Sequence, residues 1–244
     1  MSYHWDWSFL FQNIMGGDET YLDTLVSAVG WTVAVSLTAW IIALVIGSIV
    51  GIMRTLPNRY IAALGNAYVE IFRNIPILVQ LFVWMFVVPE LMPHDLKMWM
   101  KQDMPAKEFI TGALGLGWFT AARIAEQLRA GIQSLSGGQR NAGLAMGFTL
   151  AQTYRYVLLP MAYRIVLPPL TSEFMNVIKN SAVTYAVGVI ELFYQFNQIN
   201  EETSRSLEIL VIVGGLYAIL AYAANRLMTT IEKRTRVPGF IASK

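Results

Sequence analysis

No cysteine occurs in the 244 residues, which excludes a disulfide framework, thiolate metal sites and a cysteine nucleophile. Only two histidines are present, His4 and His94, and no H-E-x-x-H zinc site can be built from them. No glycine is followed by a lysine, so the phosphate-cradling loop G-x-x-x-x-G-K-S/T is missing too. Catalytic residues, metal ligands and cofactors are therefore not expected. Charge is scarce: 14% of residues are Asp, Glu, Lys or Arg, against about 25% in an average soluble domain. In its place 55% are hydrophobic, with twelve Phe, eleven Tyr and seven Trp, and the mean hydropathy is +0.48. In water this composition would leave large apolar patches, which soluble monomers avoid, so part of the solvent is lipid. At roughly 20 residues per spanning helix the length allows five or six spans and no large soluble catalytic domain. The net charge of +2 says little by itself, and no nucleic-acid partner is expected.

The clearest span is Thr24 to Met53, which contains no Asp, Glu, Lys, Arg or His and is closed by Arg54 and Arg59. Residues 1–23 are acidic and aromatic where a cleavable signal peptide needs a basic start, so they read as an external interfacial segment. Shorter uncharged stretches, extended through their embedded charges, place further helices near 61–89, 108–133, 162–190 and 207–231. These make an all-α integral membrane protein of five spans with a single domain over 1–244. Arg54, Arg59, Arg140, Arg155, Arg164, Lys233, Arg234, Arg236 and Lys244 fall on one side, which the positive-inside rule assigns to the cytoplasm. Most acids between spans fall on the other, among them Asp6, Asp18, Glu90, Asp95, Glu191 and Glu202. The N-terminus is then outside, the C-terminus inside, and 134–160 forms a cytoplasmic loop. Trp5, Trp7, Phe9 and Phe11, and the face formed by Leu96, Trp99 and Met100, read as segments lying flat on the outer surface.

A charge near the bilayer centre costs about 3 kcal/mol and needs a partner or a water-filled cavity. Glu70, Arg73, Pro76 and Gln80 share one stripe of the second span, and Pro76 removes a helical hydrogen bond beside Arg73. Arg123, Glu126 and Arg129 recur at spacing three in the third span, followed by Gln133. In the fourth, Pro168 and Pro169 interrupt an apolar run before Glu173, Asn176 and Lys179 or Asn180. Two readings stand. Either Glu70 with Arg73 and Glu126 with Arg129 are intrahelical ion pairs that neutralise each other for insertion, or Glu70, Arg73, Gln80, Glu173, Asn176 and Lys179 line a translocation path. In the second reading Arg73 and Lys179 are the cations for an anionic solute.

The loop reads SLSGGQRNAGLAMGFTLAQTYRYVLLP over 134–160. Its Leu135 to Gln139 spell LSGGQ, the nucleotide signature of cassette ATPases; without a phosphate loop the match is fortuitous. More specific are Asn141, Ala142 and Gly143, then Gly147 after three residues, then Val157, Leu158, Leu159 and Pro160 after nine more. This run resembles the EAA loop of ATP-binding cassette (ABC) transporter permeases, EAA-x3-G-x9-I-x-LP, with Asn141 in place of the usual acid and Gly143 in place of the second alanine. YVEIFRNIPILVQ (68–80), AEQLRAGIQS (125–134) and LPMAYRIVLPPLTSEFMNVIKNSAV (159–183) are likewise similar to polar amino-acid permeases, and within them to glutamate/aspartate permease subunits.

That resemblance implies an ABC type I importer permease fold in a bacterial inner membrane. It also implies an ATPase-coupling helix with Gly138, Gln139, Asn141, Ala142, Gly143, Gly147, Leu159 and Pro160. The partners implied are two ATPase subunits, a second permease that is identical or a sister, and a periplasmic amino-acid-binding protein. An ion-driven secondary transporter would need intramembrane ion sites and commonly an inverted repeat, and no repeat is visible. An intramembrane enzyme finds no catalytic constellation.

Overall fold

The computed structural model describes residues 4–135 and 137–235; Ser136, Arg236 and Lys244, used above, lie outside the described residues. No β-strand occurs among them, only an isolated antiparallel bridge between Asn13 and Thr20. The chain forms two compact units: Met1–Ala39, Pro76–Leu116 and Asn176–Tyr222 in the first, Trp40–Ile75, Gly117–Met175 and Ala223–Lys244 in the second.

Helix α1 (Tyr21–Met53) holds the long uncharged stretch without a break. Its start is a reciprocal cap: the Thr20 backbone N–H donates to Asp23 Oδ2 at 3.0 Å, and the Asp23 N–H donates to Thr20 Oγ1 at 3.3 Å. Helix α2 (Arg59–Asn74) starts at Asn58, whose Oδ1 accepts from the N–H groups of Tyr60 and Ile61. The second expected span is not one helix. Ile75 is extended (φ −91°, ψ 127°), as the residue before a proline prefers, so α2 stops there and a separate helix, α3 (Ile77–Phe82, continued by a π turn over Val83–Val87), starts after Pro76. Helices α4 (His94–Met98), α5 (Lys107–Ser134), α6 (Gly137–Ala145), α7 (Leu150–Thr153), α8 (Leu159–Asn180), α9 (Leu192–Thr203) and α10 (Ser206–Thr235) follow. Two corrections concern α8. It runs through Pro168 and Pro169 rather than being interrupted by them, and it stops at Asn180, after which Ser181–Val187 is a 3₁₀ segment ended by Gly188 at φ +88°. Among the described residues α1 and α10 are long and apolar enough to cross a membrane, and the bent α2–α3 pair counts as a third if taken as one span. Helices α5 and α8 carry the ionised groups considered below.

In the first unit, Phe9, Tyr21, Leu25 and Ala28 pack with Leu192, Ile199, Ile209 and Val213 into one buried cluster. Phe9 thus docks the N-terminal segment on this unit, while Trp5, Trp7 and Phe11 stay exposed. An ion pair from Arg205 to Asp6 at 2.6 Å fixes its start. Outside the spans, Glu90 accepts from Lys101 and Lys97, which hold its carboxyl at about 2. Leu96 and Trp99 remain exposed, as their helical face requires.

Glu191, one of the acids the sequence places on the outer side, is fully buried. It caps α9 by accepting from the Tyr194 N–H at 2.9 Å and accepts a second bond from the Tyr217 hydroxyl. Burial pushes its carboxyl up to about 7, outweighing these bonds. A carboxyl raised by folding favours the folded state where it is protonated. Its contribution is complete below the ordinary carboxylate range and is lost as pH rises through about 7. Thermal melting in detergent is expected to weaken across that window, and Glu191→Gln to flatten the dependence; an unchanged profile in the variant would contradict this assignment.

The second unit is held by close helix contacts. A Cβ at Gly47 would lie 2.8 Å from the Ala121 carbonyl oxygen, and one at Gly51 would lie 3.0 Å from that of Ala125. This small-x-x-x-small face lets α1 lie directly on α5, the packing that substitutes for a hydrophobic driving force in lipid. Gly131 does the same for α8, where a Cβ would meet Val166 at 2.5 Å. Tyr68, Phe72 and Trp118 form an aromatic cluster, and the Tyr68 hydroxyl donates to the Trp118 carbonyl at 2.9 Å.

Candidate functional site

The ionised residues of the second unit form a ladder centred on Glu126. Arg129, one helical turn on, donates from Nη2 to Glu126 Oε1 at 2.5 Å and from Nε to Oε2 at 3.2 Å. Arg54 reaches Oε2 at 2.5 Å from the end of α1 and also donates from Nε to Asn66 Oδ1 at 2.7 Å. Gly65 makes room for it, since a Cβ there would lie 2.7 Å from Arg54 Cγ. Arg129 continues to Gln133. Both oxygens of Glu126 are therefore taken by arginines.

Beside this ladder lies a cavity of about 310 Å³ lined by Arg73, Arg123, Glu126, Gln127 and Glu173. Arg123 pairs loosely with Glu173, Nη1 to Oε1, at 3.9 Å. Arg73 has no ion pair among the described residues. The Gln127 side-chain oxygen is buried and has no hydrogen-bond donor among the described residues. The cavity is thus polar, wide enough for a small solute and rich in guanidinium groups, which match carboxylates by their planar fork.

Of the six path candidates, Arg73 and Glu173 line this cavity. Glu70 is exposed and forms no ion pair with Arg73 among the described residues; its carbonyl accepts from the Asn74 side chain at 2.7 Å. Gln80 (buried), Asn176 (half-buried) and Lys179 (exposed) belong to the first unit. The ion-pair reading thus holds for Glu126 with Arg129 and fails for Glu70 with Arg73. Sequence reasoning missed Arg54, Arg123 and Gln127 as site residues. A helical repeat at 123, 126 and 127 carried the signal for the last two, but Arg54 pairs with a residue 72 positions away and nothing local marks it.

The loop between α5 and α8 is built by its turn residues. Helix α6 ends in a Schellman motif: the Phe148 N–H donates to the Gly143 carbonyl at 3.1 Å and the Gly147 N–H to that of Leu144 at 3.0 Å, with Gly147 at φ +86°. Thr149 then opens α7 with a capping box closed by Gln152. Gly143 is buried against α7, where a Cβ would lie 2.9 Å from Thr153 Cγ2; the alanine expected from the loop pattern does not fit. Tyr154 ties the loop to the end of α1, its hydroxyl donating to the Thr55 carbonyl at 2.8 Å. Gly138, Asn141, Ala142, Ala145 and Met146 are exposed, Gln139 and Leu159 are half-buried, and Pro160 sits in the first turn of α8. Gly147→Ala places a Cβ in the left-handed region and is expected to cost α6 about 1 kcal/mol. Hydrogen exchange over residues 137–148 would then be several-fold faster, and unchanged protection would contradict the assignment of that turn.

Residues 43–237 match the family described as the binding-protein-dependent transport system inner membrane component. The chain belongs to that family. It is a permease component, not itself an enzyme, and its place is the inner membrane. Over the full length of both chains it is 44% identical to the glutamate/aspartate import permease protein GltJ of Escherichia coli. It is 35% identical to the probable glutamine ABC transporter permease protein GlnM of Bacillus subtilis, over 82% of this chain and 89% of that one. Among solved structures, an amino acid ABC transporter with histidines has 28% identity and a TM-score of 0.72, covering 88% of the permease and 95% of that chain. The expected permease fold is therefore the one observed.

Proposed function

We propose that the permease imports glutamate and aspartate as the membrane-spanning subunit of an ATP-driven importer. The observation that carries this is its identity to GltJ along the whole of both chains. The cavity agrees in charge. Arg54, Arg73, Arg123 and Arg129 outnumber Glu126 and Glu173 in and around it, so the region is net positive and draws an anionic solute. Its partners are two ATPase subunits, a second permease, identical or a sister, and a periplasmic binding protein. In this reading there are five spans, the N-terminus is outside and the C-terminus inside.

The ATPase docks on the exposed side of α6, at Gly138, Asn141, Ala142 and the residues toward Gly147, with Gln139, Gly143, Leu159 and Pro160 shaping the loop behind. Small residues let a partner backbone approach, and Asn141 docks without the salt bridge an acid would give. The substrate path includes Arg73 and Glu173, with Glu70, Gln80, Asn176 and Lys179 as further candidates. Closure of the ATPases on ATP moves the loop, tilts the attached helices and exposes the path alternately to the two sides.

The permease co-purified with its neighbouring ATPase subunits tests this directly. ATP hydrolysis should rise with binding protein loaded with glutamate or aspartate. Stimulation by glutamine alone, or uptake driven by a sodium or proton gradient without the ATPases, would overturn it. Arg73→Gln should raise the glutamate concentration needed for uptake roughly tenfold, the worth of one hydrogen bond to a charged group. Unchanged uptake by an inserted protein would remove Arg73 from the path.

A further inference from the structure

Residues 4–23 lie outside the family match, which begins at residue 43, but inside the identity to GltJ, which spans both chains. They present an aromatic pair to the surroundings. Trp5 and Trp7 stack with ring centroids 5.4 Å apart and planes 10° from parallel, yet they are 48% and 42% exposed. Their backbone is held firmly. Phe9 is buried in the first unit, Arg205 pairs with Asp6 at 2.6 Å, and the Asp6 N–H donates to buried Glu208 at 3.3 Å. The turn that follows is closed by the bridge between Asn13 and Thr20, and it touches the end of α9, where the Met15 N–H donates to Glu202 Oε2 at 3.5 Å. Aromatic side chains held in place and open to the outside are the usual anchors of protein interfaces, because little freedom remains to be lost when they are covered. The surrounding charge selects the cover. Asp18, Glu19 and Glu201 are exposed and have no ion pair among the described residues, and Arg205 is taken by Asp6. Segments that settle on a bilayer carry Lys and Arg on their polar side, so this acid-rich surface suits a basic protein better than lipid.

We propose that this surface docks the periplasmic binding protein of the importer, with Trp5 and Trp7 covering apolar surface on the partner and Asp18, Glu19 and Glu201 facing its Lys and Arg side chains. The proposal rests on the reading that residues 1–23 are external and that a binding protein delivers the substrate. Its place outside the family pattern suits a contact that tells one importer's binding protein from another's. The acids attract the partner from a distance and set the rate of encounter, whereas the stacked indoles hold it once docked. Approach is therefore salt-dependent, and the hold is apolar.

The test uses the assembled transporter, permease with its ATPases, in lipid nanodiscs, titrated with glutamate-loaded binding protein while ATP hydrolysis is followed. Trp5→Ala with Trp7→Ala should raise the half-stimulating concentration of binding protein about tenfold or more, with the basal rate and the rate at saturation unchanged. Asp18→Lys with Glu19→Lys should raise it several-fold at low salt and little at high salt, where screening already removes the attraction. All four positions are exposed, and a retained rate at saturation excludes a folding defect. Unchanged half-stimulation in both variants overturns the docking surface. So does quenching of the Trp5 and Trp7 emission by brominated phospholipid, read as the difference from the variant with Trp5→Phe and Trp7→Phe, because the pair then sits in the bilayer. If loaded binding protein does not stimulate the unmodified transporter at any concentration, the importer reading fails together with the docking surface.

Discussion

Deletion of Gly137 to Gly147 is expected to abolish the stimulation of the partner ATPases by loaded binding protein while the chain still inserts and folds. The physical reason is separability. The segment carries helix α6 and its terminating turn, whose exposed residues Asn141, Ala142, Ala145 and Met146 form no part of either buried core. The ties that hold the loop base lie elsewhere, in the Tyr154 hydroxyl to Thr55 and in Leu158, which is buried. Loss of α6 therefore removes the surface offered to a partner and spares the α1–α5 packing at Gly47 and Gly51. Basal ATPase activity and thermal melting of the complex should be retained. Stimulation that persists in the deletion would assign coupling to another segment.

The second large effect is at Glu126. Replacing it with Gln leaves the Arg54 and Arg129 guanidinium groups facing each other without a counter-charge. Arg54 is 11% exposed as a side chain, so water screens it poorly. Breaking a fully buried ion pair costs about 3–5 kcal/mol; with Glu126 itself 29% exposed, about 2 kcal/mol is expected here. Thermal melting in detergent should fall by several degrees. Arg54→Leu combined with Glu126→Leu should recover part of the loss, because no unpaired charge then remains. A variant as stable as the parent would show that the ladder contributes nothing.

How far the sequence discloses this molecule depends on the range of each interaction. Local chemistry was readable. The uncharged run produced α1, Pro76 marked the point where the second segment breaks, and the spacing from Asn141 to Pro160 located the loop and its ending. The turn at Gly147 follows from backbone geometry that glycine adopts without penalty. Contacts between distant segments were not readable. Nothing near Arg54 announces Glu126, and nothing near Glu191 announces Tyr217, so neither the ion pair nor the buried helix cap could be read from the sequence. Prolines misled in one place. Pro168 and Pro169 sit inside α8, because neighbouring helices can satisfy the carbonyls that prolines release. Gly143, a departure from the loop pattern, turned out to be required by Thr153. The cavity residues were half visible: Arg73 and Glu173 stood out as intramembrane charges, whereas Gln127 is uncharged and is distinguished only by the burial of its unpartnered oxygen.

The absence of cysteine makes one measurement decisive for the claim that this permease receives a neighbour's nucleotide energy through its 134–160 loop. A single cysteine introduced by Ala142→Cys, in the assembled transporter, should resist a membrane-impermeant thiol reagent in intact cells, react in inside-out vesicles, and cross-link to the ATPase subunit. Labelling from outside intact cells, with no cross-link to the ATPase, would contradict the account.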